Sequence, residues 1–497
     1  MADEHIGLIL RMLEEGKITA KDAEALIASV GQRTPGAASP GTPPRPTAPP
    51  KPPEPPEPPE PNAEPTGSKQ FDFRWANKSG FPLDLGNLGK QITDAVRKID
   101  PDKILKEVGV GGRKFQERMR SWQRMWEAED DEAPQNPLGW PTATQTTTET
   151  FALADGAVVQ VDNPFGDVTI VPSDGGHELT ITTECWAPTQ AEAEARLAEA
   201  KAETYSLEAG TDAAGAATPG RLEVRVATQP AWRDGVVHLT LKTPADSRAR
   251  VATAFGAVNV TGLEGQVDVH TSSGAVHVAE IGGEVAVETV SGAVTAQAVR
   301  GAMKAASKSG DIIATNLAHG VAIDAVSGDV KITEAEGGRV AAKSVSGDVS
   351  LTRAGLQAPV DVAVESVSGD VRVVQANGAV SLKVVSGDIE GRHIGGATLQ
   401  AQTVSGDIRV EAGAAINGTV SFTTVSGDVS LAVPTESNFR LTLTTQSGDM
   451  ACDLAVADEK RSDSLLTGYV GTGAGTVAIQ TLSGDIHITP HDLSDPL

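Results

Sequence analysis

Between residues 251 and 490, apolar and polar residues alternate in short runs, and the runs return at a nearly constant interval. In "VAVESVSGDVRV", residues 362–373, Val362 and Val364 alternate with their neighbours before a Ser-Gly-Asp, and Val371 and Val373 resume the alternation after it. The tripeptide begins at Ser309, Ser327, Ser346, Ser368, Ser386, Ser405, Ser426, Ser447 and Ser483; Ser273 and Ser291 begin Ser-Gly-Ala copies and Phe255 a Phe-Gly-Ala. From Phe255 the steps are 18, 18, 18, 18, 19, 22, 18, 19, 21, 21 and 36 residues, and the last is expected to hold two periods, with a degenerate copy near Thr467. The residue three after each Ser is apolar in every copy, from Val276 to Ile486. Alternation with period two puts one face of a strand inward and the other outward. Glycine takes a positive φ without steric penalty, and Ser and Asp bond nearby backbone, so the tripeptide suits a tight corner between two strands. A period near 20 residues marks stacked units that cannot bury a core singly. The predicted fold class is mainly β: a parallel β-solenoid, or β-helix, of about 12 coils over 251–490, each pairing with the next at a rise of about 4.8 Å.

Upstream the pattern changes. Residues 148–250 read as a less regular β region, with "VVQVDNPFGDVTIVP" and "VVHLTLKTP" as strands and an Ala/Glu-rich helix inserted over Gln190–Ala202. In residues 1–31, Ile6, Leu10 and Leu13 recur at helical spacing, Gly16 stops the helix, and Thr19 with Asp22 resembles a capping box before a second helix that carries Leu26. Such a helical hairpin is too small to be stable alone. Its apolar positions Ile6, Leu10, Leu13 and Leu26 are therefore expected to serve self-association or to hold a regulatory protein. Residues 32–68 form a linker with 15 prolines between Pro35 and Pro65, expected to be an extended spacer. Residues 69–128 are a basic amphipathic helical segment: over 69–125 there are 13 Lys and Arg against 7 Asp and Glu. Within it Phe115, Met119, Trp122 and Trp126 share a helical face flanked by Arg113, Lys114, Arg118, Arg120 and Arg124. That face suits an anionic membrane surface or a cap on the end of the solenoid. Residues 129–147 are an acidic, Thr-rich linker.

Composition narrows the partners. A net charge of -25 on 497 residues disfavours nucleic acid, whose phosphates need clustered cations. Aromatic residues are 3% of the chain and every Trp precedes residue 250, which fits a lumen filled by Val, Ile, Leu and Ala. Cys185 and Cys452, the two cysteines, read as small apolar residues in a reducing compartment. The start "MADEHIGLIL" is acidic, with too short an apolar run for a signal peptide, and no stretch approaches a membrane span. The expected location is cytoplasmic, peripheral to the membrane.

The Asp column is the feature most open to a chemical role. Asp311, Asp329, Asp348, Asp370, Asp388, Asp407, Asp428, Asp449 and Asp485 fall along one edge of the predicted solenoid. At one coil of separation in water a like-charge pair costs about 0.9 kcal/mol, less with salt, so the column is tolerable without an ion. A cation ladder is the weaker reading, because each coil supplies one carboxylate where calcium takes six to eight oxygens. The sequence carries no Gly-x-Ser-x-Gly, phosphate loop or His-Glu-x-x-His, no cofactor is expected, and His487 and His491, four apart, read as surface residues.

"VVHLTLKTPADSRARVATAFGAVNVTG", followed by many copies of "VSGDV", resembles the bacterial putative-adhesin family of unknown function with β-strand repeats, over roughly residues 148–490. Ala257, Ala275 and Ala293 depart from the repeat by losing the Asp. "ILRMLEEGKITAKDAEALIASV" is similar to short helical-hairpin oligomerisation modules often joined to that family. The resemblance implies a β-repeat fold, and some relatives are associated with cell-envelope stress responses. The expected function is a non-enzymatic binding or scaffold protein. The alternatives are a cytoskeletal-type end-to-end polymer and, as a minor one, a polysaccharide-active β-helix enzyme, for which coils of 18 to 22 residues leave little room for loops and aromatics.

Overall fold

A computed structural model describes residue 136 and residues 140–492, apart from 154–155, 201, 208–209, 212–216, 219 and 227–233. The helical hairpin, the proline-rich linker and the basic segment with its Trp and Arg residues lie outside the described residues. The chain divides into two compact units, 1–76 and 77–497; every described residue belongs to the second.

One coil shows how the sequence builds all of them. Val285–Ser291 is a strand, Gly292 turns it with φ 149°, and Val294–Val299 is the second strand. Val285, Val287, Thr289, Val294, Ala296 and Val299 face the lumen and are buried. Each strand pairs in parallel with its equivalent one coil away, without slippage: Val285 sits opposite both Val267 and Met303, and Val294 opposite both Val276 and Ile312. Ten coils stack in chain order, with corners at Phe255, Ser273, Ser291, Ser309, Ser327, Ser346, Ser368, Ser386, Ser405 and Ser426. The lumen is a continuous core of Val, Ile, Leu and Ala, as the scarcity of aromatics implied. Size varies along a lumen column: Leu382, Ala401, Phe422 and Ile479 are successive neighbours, all fully buried.

Both ends depart from chain order. At the C-terminal end the coil made by Gly475–Gln480 and Ile486–His491 lies between the coil of Thr419–Thr423 and Val429–Pro434 and that of Phe439–Thr444 and Met450–Cys452. The degenerate copy expected near Thr467 is not a coil. Leu465–Val470 instead runs antiparallel to Phe439–Thr444 and forms a hairpin with Val456–Ser462. The exposed charges Asp458, Glu459, Lys460 and Arg461 explain this, since an apolar lumen has no place for them. At the N-terminal end Val158–Phe165 and Val168–Ser173 form a coil beneath Arg248–Phe255 and Val258–Thr261, and Arg221–Val226 and Gly235–Pro244 lie beyond it. Antiparallel strands then cover the end: Ala202–Leu207 on Arg221–Val226, His177–Trp186 on Gly235–Pro244, and Thr142–Phe151 outermost. The inserted helix spans Gln190–Glu199, with Thr189 Oγ accepting from Glu192 N at 3.3 Å as its N-cap. Among the described residues no helix is long and apolar enough to cross a membrane.

Candidate functional site

The Ser-Gly-Asp corner is a hydrogen-bond ladder. At Gly387, φ is +144° and a Cβ would strike the carbonyl oxygen of Gly369 in the neighbouring coil, so the position excludes side chains twice over. Backbone pairing continues through the corner, with Gly387 N donating to Ser405 O at 3.0 Å and Ile389 N to Asp407 O at 2.8 Å. The carboxylates add a second rail. Oδ1 of Asp370 accepts from the backbone N–H of Asp388, Oδ1 of Asp388 from Asp407, and Oδ1 of Asp407 from Asp428, each at 2.8 Å. The same bond joins Asp311 to Asp329, Asp329 to Asp348, and Asp348 to Asp370. It follows the spatial order at the far end, from Asp428 to Asp485 and from Asp485 to Asp449. Where a copy carries Ala257, Ala275 or Ala293 the side chain has no acceptor to offer, although Ala257 N still donates to Asp167 Oδ1 at 2.8 Å.

One oxygen of each acceptor Asp is thus committed to an amide. The second faces outward, and at Asp388 and Asp407 it meets Arg409 at 3.4 and 2.5 Å. Among the described residues no group of three or more His, Cys, Asp or Glu is arranged to hold a metal ion. His487 and His491 are not brought to a common point: His487 Nε2 is 3.0 Å from Asp453 Oδ2, and His491 Nε2 is 2.7 Å from Ala412 O. Cys185 and Cys452 are free thiols, and burial raises the pKa of both.

Beside the Asp edge runs the outer face of the first sheet, built from outward positions between the buried ones. Ala322, Ala341, Ala363 and Ser381 lie in register across four coils, and next to them Asp324, Lys343, Glu365 and Lys383 do the same. A third row is the first Val of each Val-Ser-Gly-Asp: Val326, Val345, Val367, Val385, Val404 and Val425, all half-buried. Over these four coils the face offers a small-residue row, an alternating charge row and a valine row; the first two stop at Lys304 and Ala306 on one side and at Gln400 and Gln402 on the other.

Near the N-terminal end the same outward rows hold a buried ionic cluster that sequence reading missed. Asp162 is 0% exposed, Asp268 2% and His270 6%. His270 Nδ1 lies 3.1 Å from Asp268 Oδ1 and its Nε2 3.0 Å from Glu288 Oε2, while Arg250 Nε is 3.4 Å from Asp268 Oδ2. Arg225 Nε stands 3.8 Å from Asp162 Oδ2. Burial opposes charge on His270, but hydrogen bonds to Asp268 and Glu288 and the charges of both outweigh it and lift the pKa to about 9. A histidine held as imidazolium at neutral pH is not poised to act as a general base. The only sequence signal was three charged residues, Asp268, His270 and Glu288, at outward sites where nearby copies have Ala286 and Ala306. It acquires meaning only once the register places them side by side.

Fold and corner together define a parallel β-solenoid repeat protein. Residues 298–379 and 318–489 match the Toastrack DUF4097 model, so this stretch of the solenoid is similar to that family of unknown function. No enzymatic family is indicated. No curated protein matches the chain. Among solved structures, the chain is similar to a putative cell adhesion protein from Clostridium sporogenes ATCC 15579 at 8% identity, with 70% of this chain and 100% of that one covered and a TM-score of 0.18.

Proposed function

We propose that the protein is a non-enzymatic scaffold that works at the cytoplasmic side of the cell envelope, where it takes part in envelope stress sensing. The observation that carries the scaffold reading is the outer face of the first sheet, whose small-residue, charge and valine rows run in register across four coils. Such a surface offers an extended or repetitive partner the same contacts many times over, and small contacts in series add up. Residues 1–31 then gather copies or recruit a regulatory protein. The sequence pattern of Phe115, Met119, Trp122 and Trp126 among Arg and Lys supports anionic lipid as a partner, each cation contributing about 1 kcal/mol.

Two measurements on the full chain test the reading. Light scattering should give a mass that is a multiple of the chain, and deleting residues 1–31 should lower it; an unchanged mass removes the hairpin from the account. The protein should co-sediment with anionic vesicles, release with salt, and bind less when Trp122 and Trp126 become Ala. Equal partition onto neutral and anionic vesicles, or none onto either, removes the membrane. For the end-to-end polymer, the charged edge strand Val456–Ser462 opposes strand addition, so electron microscopy should find discrete particles.

A further inference from the structure

The out-of-order coil at the C-terminal end is a second kind of surface. The step from Ser405 to Ser426 and the step from Ser426 to Ser447 are both 21 residues, so the chain has the length to stack the Ser447 coil directly on the Ser426 coil. Instead Ser426 and Ser447 each bridge to Ser483. What the inserted coil offers its two neighbours is the general ladder. Toward one side Gly427 N donates to Ser483 O at 3.0 Å, Val429 N to Asp485 O at 2.8 Å, and Asp485 N to Asp428 Oδ1 at 2.8 Å. Toward the other, Gly484 N donates to Ser447 O at 2.9 Å, Ile486 N to Asp449 O at 2.8 Å, and Asp449 N to Asp485 Oδ1 at 2.7 Å. Val477, Ile479, Ile486 and Ile488 fill the lumen.

None of these contacts requires that the inserted coil be covalently joined to its neighbours. Its link to the preceding hairpin is the short run Gly471-Thr472-Gly473-Ala474, with both glycines in the left-handed region at φ 58° and 73°. Asn438 holds that link, its side-chain oxygen accepting from Thr472 N at 3.0 Å and its carbonyl from Gly475 N at 2.8 Å. We propose that the space between the Ser426 and Ser447 coils is a strand-addition site for a Ser-Gly-Asp coil, filled in cis by residues 475–491 and able to take the same residues from a second copy of the chain. Backbone pairing on both sides gives the affinity, and the apolar sites at 477, 479, 486 and 488 with the side-chain-free corner at Gly484 give the specificity. Reciprocal exchange joins two copies through elements each already contains. This interaction is independent of the N-terminal hairpin.

The test is a full-length protein with a protease site inserted between Thr472 and Gly473, cut after folding, unfolded in urea and refolded with excess fluorescent peptide spanning residues 475–492. The cut protein should incorporate the peptide at one per chain, and the uncut protein at least about tenfold less. A peptide carrying Gly484→Val should not be incorporated, because its side chain meets the carbonyl of Gly427. Refolding without uptake overturns the proposal, as does equal uptake of the Gly484→Val peptide or a cut chain that the wild-type peptide fails to restore. Co-expression of residues 1–474 with 475–497 as separate chains gives a second readout: co-purification is expected. A folded 1–474 that ignores the second chain would mean that the Ser447 coil closes directly on the Ser426 coil, and would overturn the site.

Discussion

Asp388 gives its Oδ1 to the N–H of Asp407, 2.8 Å away, while its charge stands one coil from two others. The two effects have opposite sign, and substitution separates them. Asp388→Ala removes the acceptor and should cost about 1 kcal/mol in urea unfolding. Asp388→Asn keeps an acceptor and removes a charge, so its stability should lie within about 0.5 kcal/mol of the parent and depend less on salt. The midpoint of the parent should ignore added calcium; a saturable rise lost in Asp388→Asn would put an ion on the column. His270 makes a different prediction. Its pKa is raised from 6.5 to about 9 in the folded protein, so the stability it brings is fully present below pH 6.5 and is lost as pH rises through about 9. The stability gap between the parent and His270→Gln should be wide at pH 6 and narrow at pH 9.5. A constant gap would mean that His270 acts by packing and not by charge.

The strand before each corner and the corner itself were legible because both leave marks on the sequence: alternation fixes the face, and a glycine that must take a large positive φ cannot be anything else. The second bend of each coil leaves none. Glu280, Ala298, Asn316, Glu334, Arg353, Gln375 and His393 occupy equivalent places with φ between 52° and 59°, and no residue type is common to them. Their left-handed geometry is imposed by stacking, against a local preference of about 1 kcal/mol each. Ala298→Gly should therefore stabilise the protein by about 0.5–1 kcal/mol, although glycine in a strand normally weakens it; a loss of stability would mean that stacking favours the bend without strain. The order of the end coils was illegible for a related reason. Every coil with a Ser-Gly-Asp corner presents the same ladder to its neighbours, so the Ser483 coil carries no mark of where it inserts. The charges of 458–461 did mark that stretch as unfit for a lumen, which was the available clue against a copy near Thr467. The buried cluster at His270 depended on register between three coils, and periodicity within one coil does not contain it.

Across the whole molecule, the net charge of -25 keeps a long repeat surface soluble and opposes its association with polyanions. In a stack where each unit touches only its neighbours, stability is a sum of near-identical interfaces and the useful property is the surface they build. The coil, and not any one residue, is then the unit of structure and of presentation. Excising Gly328–Ser346, one period of 19 residues, joins Ser327 to Gly347 and restores an intact Ser-Gly-Asp corner. The shortened protein should fold with the same β-sheet circular dichroism, unfold cooperatively within a few degrees of the parent, and keep its number of chains by light scattering. A chain that fails to fold, or folds with a different number of chains, would contradict the account, since it would mean that this coil carries something its neighbours do not.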